Sequence, residues 1–277
     1  MGADADGPGR AGPRGTRAMS APAGPARARR VLVMLPAYHE EKNLPPLLTD
    51  FREMFARWPG APAWSMLVVD DGSKDGTAAA ARSVPGVPLT VITHGVNQGL
   101  GAAMRTGITY ALEHGSDDDL LVTMDADHTH PPELVPSMVA FADAGSDLVI
   151  ASRYQPGAEI HGLVWWRRWL SDAASLVFRA VFPCGARDYT CGFRCYRIGL
   201  LRWGQARYGR HFLNQRGFSV MVDLLLKLRR RARHIAEVPL VLRYDRKQGA
   251  SKMKVVRTIV TTLRLLGRRF VGDPTGP

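Results

Sequence analysis

Two aspartates one residue apart, Asp125 and Asp127, follow a short apolar run, Leu120–Met124. Carboxylates so spaced at the end of an extended segment can share one hard divalent cation where the loop turns them together. Alone, the same pair suits a capped turn or a solvated acidic loop equally well. Three further polar clusters favour the cation. Pro36-Ala37-Tyr38-His39-Glu40-Glu41 closes a first apolar run, and Asp70-Asp71-Gly72-Ser73-Lys74-Asp75-Gly76-Thr77 closes a second. Asn97-Gln98-Gly99-Leu100-Gly101-Ala102 opens a helical stretch. The Gly99/Gly101 pair lacks the third glycine of a dinucleotide fingerprint and follows the third strand-like run, not the first. It reads as close backbone approach at a helix N-terminus, where unpaired N–H groups favour phosphate. His128 and His130 flank Thr129. Imidazole prefers softer metals, so local hydrogen bonding ahead of Pro131-Pro132 is their expected role.

These clusters need elements to carry them. Val31–Ala37, Met66–Val69, Pro88–Thr93, Leu120–Met124 and Asp147–Ala151 read as buried strands. Between them, helical spacing covers Leu44 to Phe55, Thr77–Arg82, Gly99–Leu112 and Pro132–Phe141. Strands alternating with helices predict an α/β protein with a mostly parallel sheet flanked by helices. The polar clusters and Arg153 fall just after the strands, at the edge where open α/β sheets bind ligands. After Arg153 the rhythm breaks. Residues 163–182, 217–228 and 253–270 read as further helices, with a strand at Ile235–Leu242.

The chain has 277 residues, 45% of them apolar and 22% charged, an ordinary globular mix. No apolar run approaches the roughly 20 residues of a membrane-spanning helix, and residues 1–30 lack the apolar middle of a signal peptide. That segment is Gly, Ala, Pro and Arg, and is expected to be a disordered tail. The three cysteines, Cys184, Cys191 and Cys195, are too few for a disulfide framework and fit a reduced, cytoplasmic setting. The formal charge of +12 is polarised: residues 31–199 carry −6 and residues 200–277 carry +14. Such a tail seeks polyanions. On residues 253–270, Val256, Ile259, Val260, Leu263, Leu266 and Phe270 share one helical face, and Lys254, Arg257, Arg264 and Arg268 another. A basic amphipathic helix of this kind suits an anionic membrane interface. Trp165, Trp166 and Trp169 beside Arg167 and Arg168 suit it too, although core packing of 163–182 fits as well.

Taken together and in order, the four clusters resemble those of inverting, family-two glycosyltransferases with the GT-A fold. Beyond them, Ala151-Ser152-Arg153-Tyr154, Asp188-Tyr189-Thr190-Cys191-Gly192-Phe193-Arg194, Gly217-Phe218-Ser219, Glu237-Val238-Pro239 and Asp245-Arg246-Lys247-Gln248-Gly249-Ala250-Ser251-Lys252 resemble the dolichol-phosphate mannose synthase branch. The resemblance spans about residues 31–252, which would form the catalytic domain ahead of a basic amphipathic segment at 253–277. It implies transfer of a hexose to polyprenyl phosphate, most simply mannose from GDP-mannose, with UDP-glucose as the next donor. It implies that Pro36, Tyr38, Glu40 and Asp70 hold the nucleobase and ribose, and that Asp125 and Asp127 bind Mg²⁺ or Mn²⁺ at the diphosphate. Arg153, Arg167, Ser171, Arg246 and Lys252 match the branch's acceptor-phosphate positions, and Asp127, Arg153 and Arg246 are the expected catalytic set. Thr129 stands where the family often has an amide, and Cys191 where the branch usually has Ser. A small buried residue in a tight turn is the expected role of Cys191.

A lipid phosphate has a second pKa of roughly 6, so at neutral pH it is largely an oxyanion that needs cationic anchoring, not a base. Some members of the branch carry transmembrane helices after this point. A chain without them is expected to be peripheral on the cytoplasmic membrane face, or held there by a membrane-anchoring partner. Two rival readings remain. The same fold could glycosylate a hydroxyl on a glycan, peptide or natural product, which needs a carboxylate base near the acceptor, and no obvious extra Asp/Glu motif follows residue 160. The basic tail could bind nucleic acid, yet no recognition module or stacking motif accompanies it, so no nucleic-acid partner is expected.

Overall fold

A computed structural model of the chain describes residues 29–162, 179, 185–215 and 217–246. The strands are Arg30–Ala37 (β1), Ala63–Asp70 (β2), Leu89–Thr93 (β3), Leu120–Thr123 (β4), Leu148–Ser152 (β5), Glu159–His161 (β6), Arg194–Arg197 (β7), Ile235–Pro239 (β8) and Val241–Arg243 (β9). The helices are Leu44–Arg57 (α1), Thr77–Arg82 (α2), Leu100–His114 (α3), Val135–Asp143 (α4), Ile198–Tyr208 (α5) and Ser219–Leu228 (α6). Seven strands form one sheet in the order β3-β2-β1-β4-β7-β5-β8, and β6 and β9 pair as a separate two-stranded sheet.

The sheet is parallel apart from β7, which runs antiparallel to both β4 and β5. Every residue of β4 and β5 is buried, whereas those of the edge strand β3 are half-buried or exposed. Continuous apolar runs belong in strands covered on both faces. Helix α1 begins at Leu44-Pro45-Pro46 and buries Leu44, Leu47, Leu48, Phe51, Met54 and Phe55, the apolar stripe expected from its spacing. Helix α3 lies close on β1: a Cβ on Gly107 would stand 2.6 Å from Met34 Cγ.

The expected alternation is present through β5, and the structure adds detail to it. Arg30 opens β1, one residue inside the segment expected to be a tail, and its backbone N–H donates to Asp119 Oδ1 at 2.8 Å. The helix expected over Pro132–Phe141 starts as a 3-10 turn, Pro132–Leu134, before α4. The single strand expected at Ile235–Leu242 is two strands in two sheets. Pro239 ends β8, having no N–H to extend a ladder, and Leu240 N–H donates to Ser152 O at 3.0 Å before β9 begins. Strands β6 and β7 and helix α5 were not legible in the sequence. The expected helices at 163–182, apart from residue 179, and at 253–270, and nearly all of the expected disordered tail, lie outside the described residues.

Candidate active site

The carboxyl ends of β1, β2 and β4 lie side by side. Ala37 is in register with Asp70, and Met34 with Thr123. The sheet therefore brings the first three polar clusters to one edge. A cleft there is lined by Pro36, Leu100, Met104, Asp125, Gly192 and Phe218, among others. Asp70 is buried and accepts from Ser73 N–H at 3.0 Å. Glu40 is buried as well, and its Oε2 accepts from Asn43 Nδ2 at 2.6 Å. The Tyr38 ring stacks on His39, with centroids 4.1 Å apart.

Asp71 is the organiser of this side, a role the sequence did not reveal. Its Oδ1 accepts from Gln98 N–H at 3.0 Å and lies 2.7 Å from His94 Nδ1, while its Oδ2 accepts from Gly99 N–H at 2.7 Å. The two amides just ahead of α3, those of Gln98 and Gly99, are thus taken by a carboxylate of the chain itself. Gly72 makes the close approach possible. Its φ is 72°, and an added Cβ would lie 2.4 Å from the backbone carbon of Val96.

Beyond β4 the chain turns through Asp125, Ala126 and Asp127. Asp127 Oδ1 accepts from Thr129 Oγ1 at 2.7 Å and Thr129 N–H at 3.2 Å. Thr129 therefore braces the second aspartate, and its hydroxyl proton is directed at that carboxylate. His128 adopts φ 62°, a left-handed conformation, and its Nε2 lies 2.8 Å from Asp50 Oδ2 on α1. The expected partner was local; the observed one is 78 residues away. His130 is buried, meets Phe193 edge-on, and leaves Nδ1 without a hydrogen-bond partner among the described residues. Among the described residues no group of three or more His, Cys, Asp or Glu gathers as a metal cage. A small hard cation does not require one, because substrate phosphates and water complete its shell beside one or two carboxylates. The oxygen-only donors and Gly192, where a Cβ would stand 3.3 Å from Asp125 Oδ1, fit such a cation.

Arg153 follows β5 directly. Because β7 registers Thr123 and Ile150 against Arg194, Arg153 and Asp125 project past the same edge, two strand spacings or about 10 Å apart. Its guanidinium is held by Asp188: Nε to Oδ2 and Nη2 to Oδ1, both 2.8 Å, with Nη2 also on Thr190 Oγ1 at 2.6 Å. Burial opposes ionisation of Asp188, but Arg153 outweighs it and holds the carboxyl down at about 2. Glu237 accepts from the backbone N–H groups of Arg187 and Asp188, each at 2.8 Å, and from Gln155 Nε2 at 3.0 Å. Arg194, wholly buried in β7, donates to Met221 O and Tyr189 O at 2.7 Å each. It ties α6 and the 188–192 loop to the sheet. Burial pushes the Cys191 thiol up to about 12, so it is inert at neutral pH, as its expected packing role requires.

Arg246 ends the turn Tyr244–Arg246 and lies 4.0 Å from Asp50 Oδ2, the oxygen that His128 also meets. Arg243 N–H donates to Thr129 O at 2.8 Å. Arg246 is thereby brought to the Asp125–Asp127 loop. Arg167, Ser171 and Lys252 lie outside the described residues. No role for Asp50, Asp71, Asp188 or Arg194 was legible from sequence. The motifs contain Asp71, Asp188 and Arg194, but only the fold supplies their partners.

Comparison with known proteins agrees with this geometry. The profile of glycosyl transferase family 2 matches residues 32–202. A polyprenol monophosphomannose synthase of Mycolicibacterium smegmatis is 34% identical over 245 residues, covering 86% of this chain and 88% of that protein. An undecaprenyl-phosphate mannosyltransferase of Micrococcus luteus is 34% identical over 226 residues, covering 81% and 87%. In three dimensions, glucosyl-3-phosphoglycerate synthase from Mycobacterium tuberculosis, crystallised with Mn²⁺ and UDP-glucose, superimposes with a TM-score of 0.58 at 22% identity over 86% of this chain and 79% of that one. The architecture is the GT-A fold, and the chain belongs to glycosyl transferase family 2.

Proposed function

We propose that this glycosyltransferase moves mannose from GDP-mannose onto a polyprenyl phosphate, with inversion at the sugar. The observation that carries the reading is Arg153, a cation fixed at the strand edge beside the Asp125–Asp127 loop by a carboxylate that cannot serve as a base. A general base works best with a pKa near the operating pH. Asp188 is held at about 2, and Glu237 spends its oxygens on two backbone N–H groups and Gln155. A hydroxyl acceptor would need such a base. A phosphate acceptor arrives ionised and needs a cation instead. The relatives named above as polyprenyl-phosphate mannose enzymes support the same acceptor and sugar.

In this reading Pro36, Tyr38, Glu40 and Asp70 border the nucleoside, and Asp125 and Asp127 hold Mg²⁺ or Mn²⁺. The cation, when bound, neutralises the departing nucleoside diphosphate. Arg153 and Arg246 anchor the lipid phosphate from two sides of the edge. Arg167, Ser171 and Lys252 join them on the strength of their motif positions. The protein works peripherally at an anionic membrane on its cytoplasmic face, held by its basic C-terminal residues or by an anchoring partner.

The test is a transfer assay with purified protein, undecaprenyl phosphate, Mg²⁺ or Mn²⁺ and a panel of labelled sugar nucleotides, with the product extracted into organic solvent. Label from GDP-mannose should move into the organic phase. Transfer from UDP-glucose alone would change the sugar. Label appearing only on hydroxyl acceptors would overturn the phosphate reading.

A further inference from the structure

Asp50 sits on α1, outside every motif that carries the chemistry, yet its Oδ2 meets two of them at once. It lies 2.8 Å from His128 Nε2 and 4.0 Å from Arg246 Nη1. His128 follows Asp127 directly and holds φ 62°. A non-glycine residue in that region is uncommon and persists where its surroundings fix it. The Asp50 side chain is 32% exposed, that of His128 13% and that of Arg246 37%. The three thus form a partly solvated bridge from the rigid helix, across the metal loop, to the turn that presents Arg246. A second tie, Arg243 N–H to Thr129 O at 2.8 Å, joins the same two segments through the backbone.

We propose that Asp50 is the positioning residue that holds Arg246 beside the Asp127 loop, so that the acceptor-phosphate anchor is in place before the lipid arrives. The inference rests on the acceptor role given to Arg246 above. An arginine already restrained loses less side-chain freedom on binding, and the gain falls on the ligand it contacts. The effect of Asp50 therefore belongs to acceptor binding. The sugar nucleotide is held by the β1 and β2 side and by the Asp125–Asp127 loop, so its affinity reads the other contact of Asp50, the one to His128.

The experiment is a double-mutant cycle on the full chain, with undecaprenyl phosphate in detergent micelles as acceptor and GDP-mannose as donor. Asp50→Ala is expected to raise the acceptor KM roughly fivefold, with kcat and calorimetric GDP-mannose affinity within about twofold of the parent. Arg246→Ala is expected to raise it about tenfold or more, and Asp50→Ala/Arg246→Ala no further than Arg246→Ala alone, because the two act as one unit. Asp50→Asn keeps the volume and an oxygen for His128 but loses the charge facing Arg246. It should match Asp50→Ala, and it carries the test if the alanine variant melts early. Asp50→Glu should recover part of the loss. An unchanged acceptor KM in both Asp50→Ala and Asp50→Asn overturns the proposal. So do additive effects in the double variant, or donor affinity falling in step with acceptor KM, which would mark a generally loosened metal loop. If Arg246→Ala itself leaves the acceptor KM unchanged, the acceptor role of Arg246 is what fails, and the positioning role falls with it.

Discussion

At the scale of single residues, the structure separates side chains that face the cleft from those that hold them there. Asp125 lines the cleft, whereas the Asp127 carboxylate accepts from Thr129 and so braces its own turn. Alanine at this position would remove the turn brace together with the charge. Asp127→Asn retains an oxygen for Thr129 and loses only the charge. Transfer should fall at least about a hundredfold, with the melting temperature within about 2 °C of the parent, and EDTA should abolish transfer reversibly. Full activity in EDTA would remove the cation from the mechanism. Arg153 poses the opposite problem, because replacing it strands Asp188, whose side chain is fully buried. Loss of one member of such a pair costs about 3–5 kcal/mol, so Arg246→Ala is the cleaner probe of acceptor anchoring. The pair also sets an acid limit. The Asp188 pKa is lowered from 3.8 to about 2 on folding, so its contribution is complete above about pH 4 and is lost as pH falls through about 2. Chemical denaturation from pH 5 to pH 2 should show that loss, and Asp188→Asn should flatten it.

At the scale of elements, α6 forms one wall of the cleft and is itself pinned from below. Lys227 Nζ lies 2.5 Å from Asp223 Oδ2, one turn earlier, with both side chains almost fully buried. The ammonium also donates to the carbonyls of His211 and Phe212, and so clamps the end of the turn after α5 to α6. Gly204 on α5 has no room to spare against this corner, since a Cβ would lie 2.4 Å from Phe212 Cε2. Breaking a buried pair leaves one charge uncompensated, whereas replacing both partners with apolar groups removes the desolvation cost. Lys227→Ala should therefore lower stability by roughly 3–5 kcal/mol, while Asp223→Leu/Lys227→Met should come within about 1 kcal/mol of the parent or exceed it. Urea unfolding of the three proteins checks this. A double variant as unstable as the single one would show that the two carbonyl contacts, not the ion pair, hold the corner.

At the scale of the whole molecule, charge is the organising feature. An acidic body carries the nucleotide half, and residues 200–277 carry +14. No helix among the described residues is long and apolar enough to cross a membrane. For the membrane attraction proposed above, the basic residues Lys254, Arg257, Arg264, Arg268 and Arg269 are the candidates. Each basic residue near an anionic leaflet contributes about 1 kcal/mol at moderate ionic strength. Deleting residues 253–277 should reduce flotation with phosphatidylglycerol liposomes at 0.1 M salt, and the parent protein should itself detach as salt rises, since exposed charges are screened over about 10 Å at that concentration. Flotation unchanged by the deletion would assign membrane attraction to another part of the chain.

The sequence by itself determined the βα rhythm through β5, the strand edge that gathers the polar clusters, and the family. These are local properties: apolar spacing marks each strand and helix, and glycine and aspartate at fixed offsets mark the turns between them. Local spacing failed where pairing was distant. Strand β7 is four residues long and carries arginines at both ends, so nothing in Arg194–Arg197 looks like a buried strand. It becomes one because β4 and β5 leave a gap that an antiparallel segment fills, and because the carbonyls of Tyr189 and Met221 accept from the two terminal nitrogens of Arg194. The same limit hid the supports of the site. Arg153 was legible as a cation at a strand end, but not the carboxylate 35 residues away that holds it. His128 was legible beside Asp127, but not the Asp50 carboxylate contributed by α1. Which residues bear the chemistry was a matter of type and order. Which residues hold them in place was decided by tertiary structure alone, because a buried charge takes its partner from whatever the packing of the sheet brings within 3 Å.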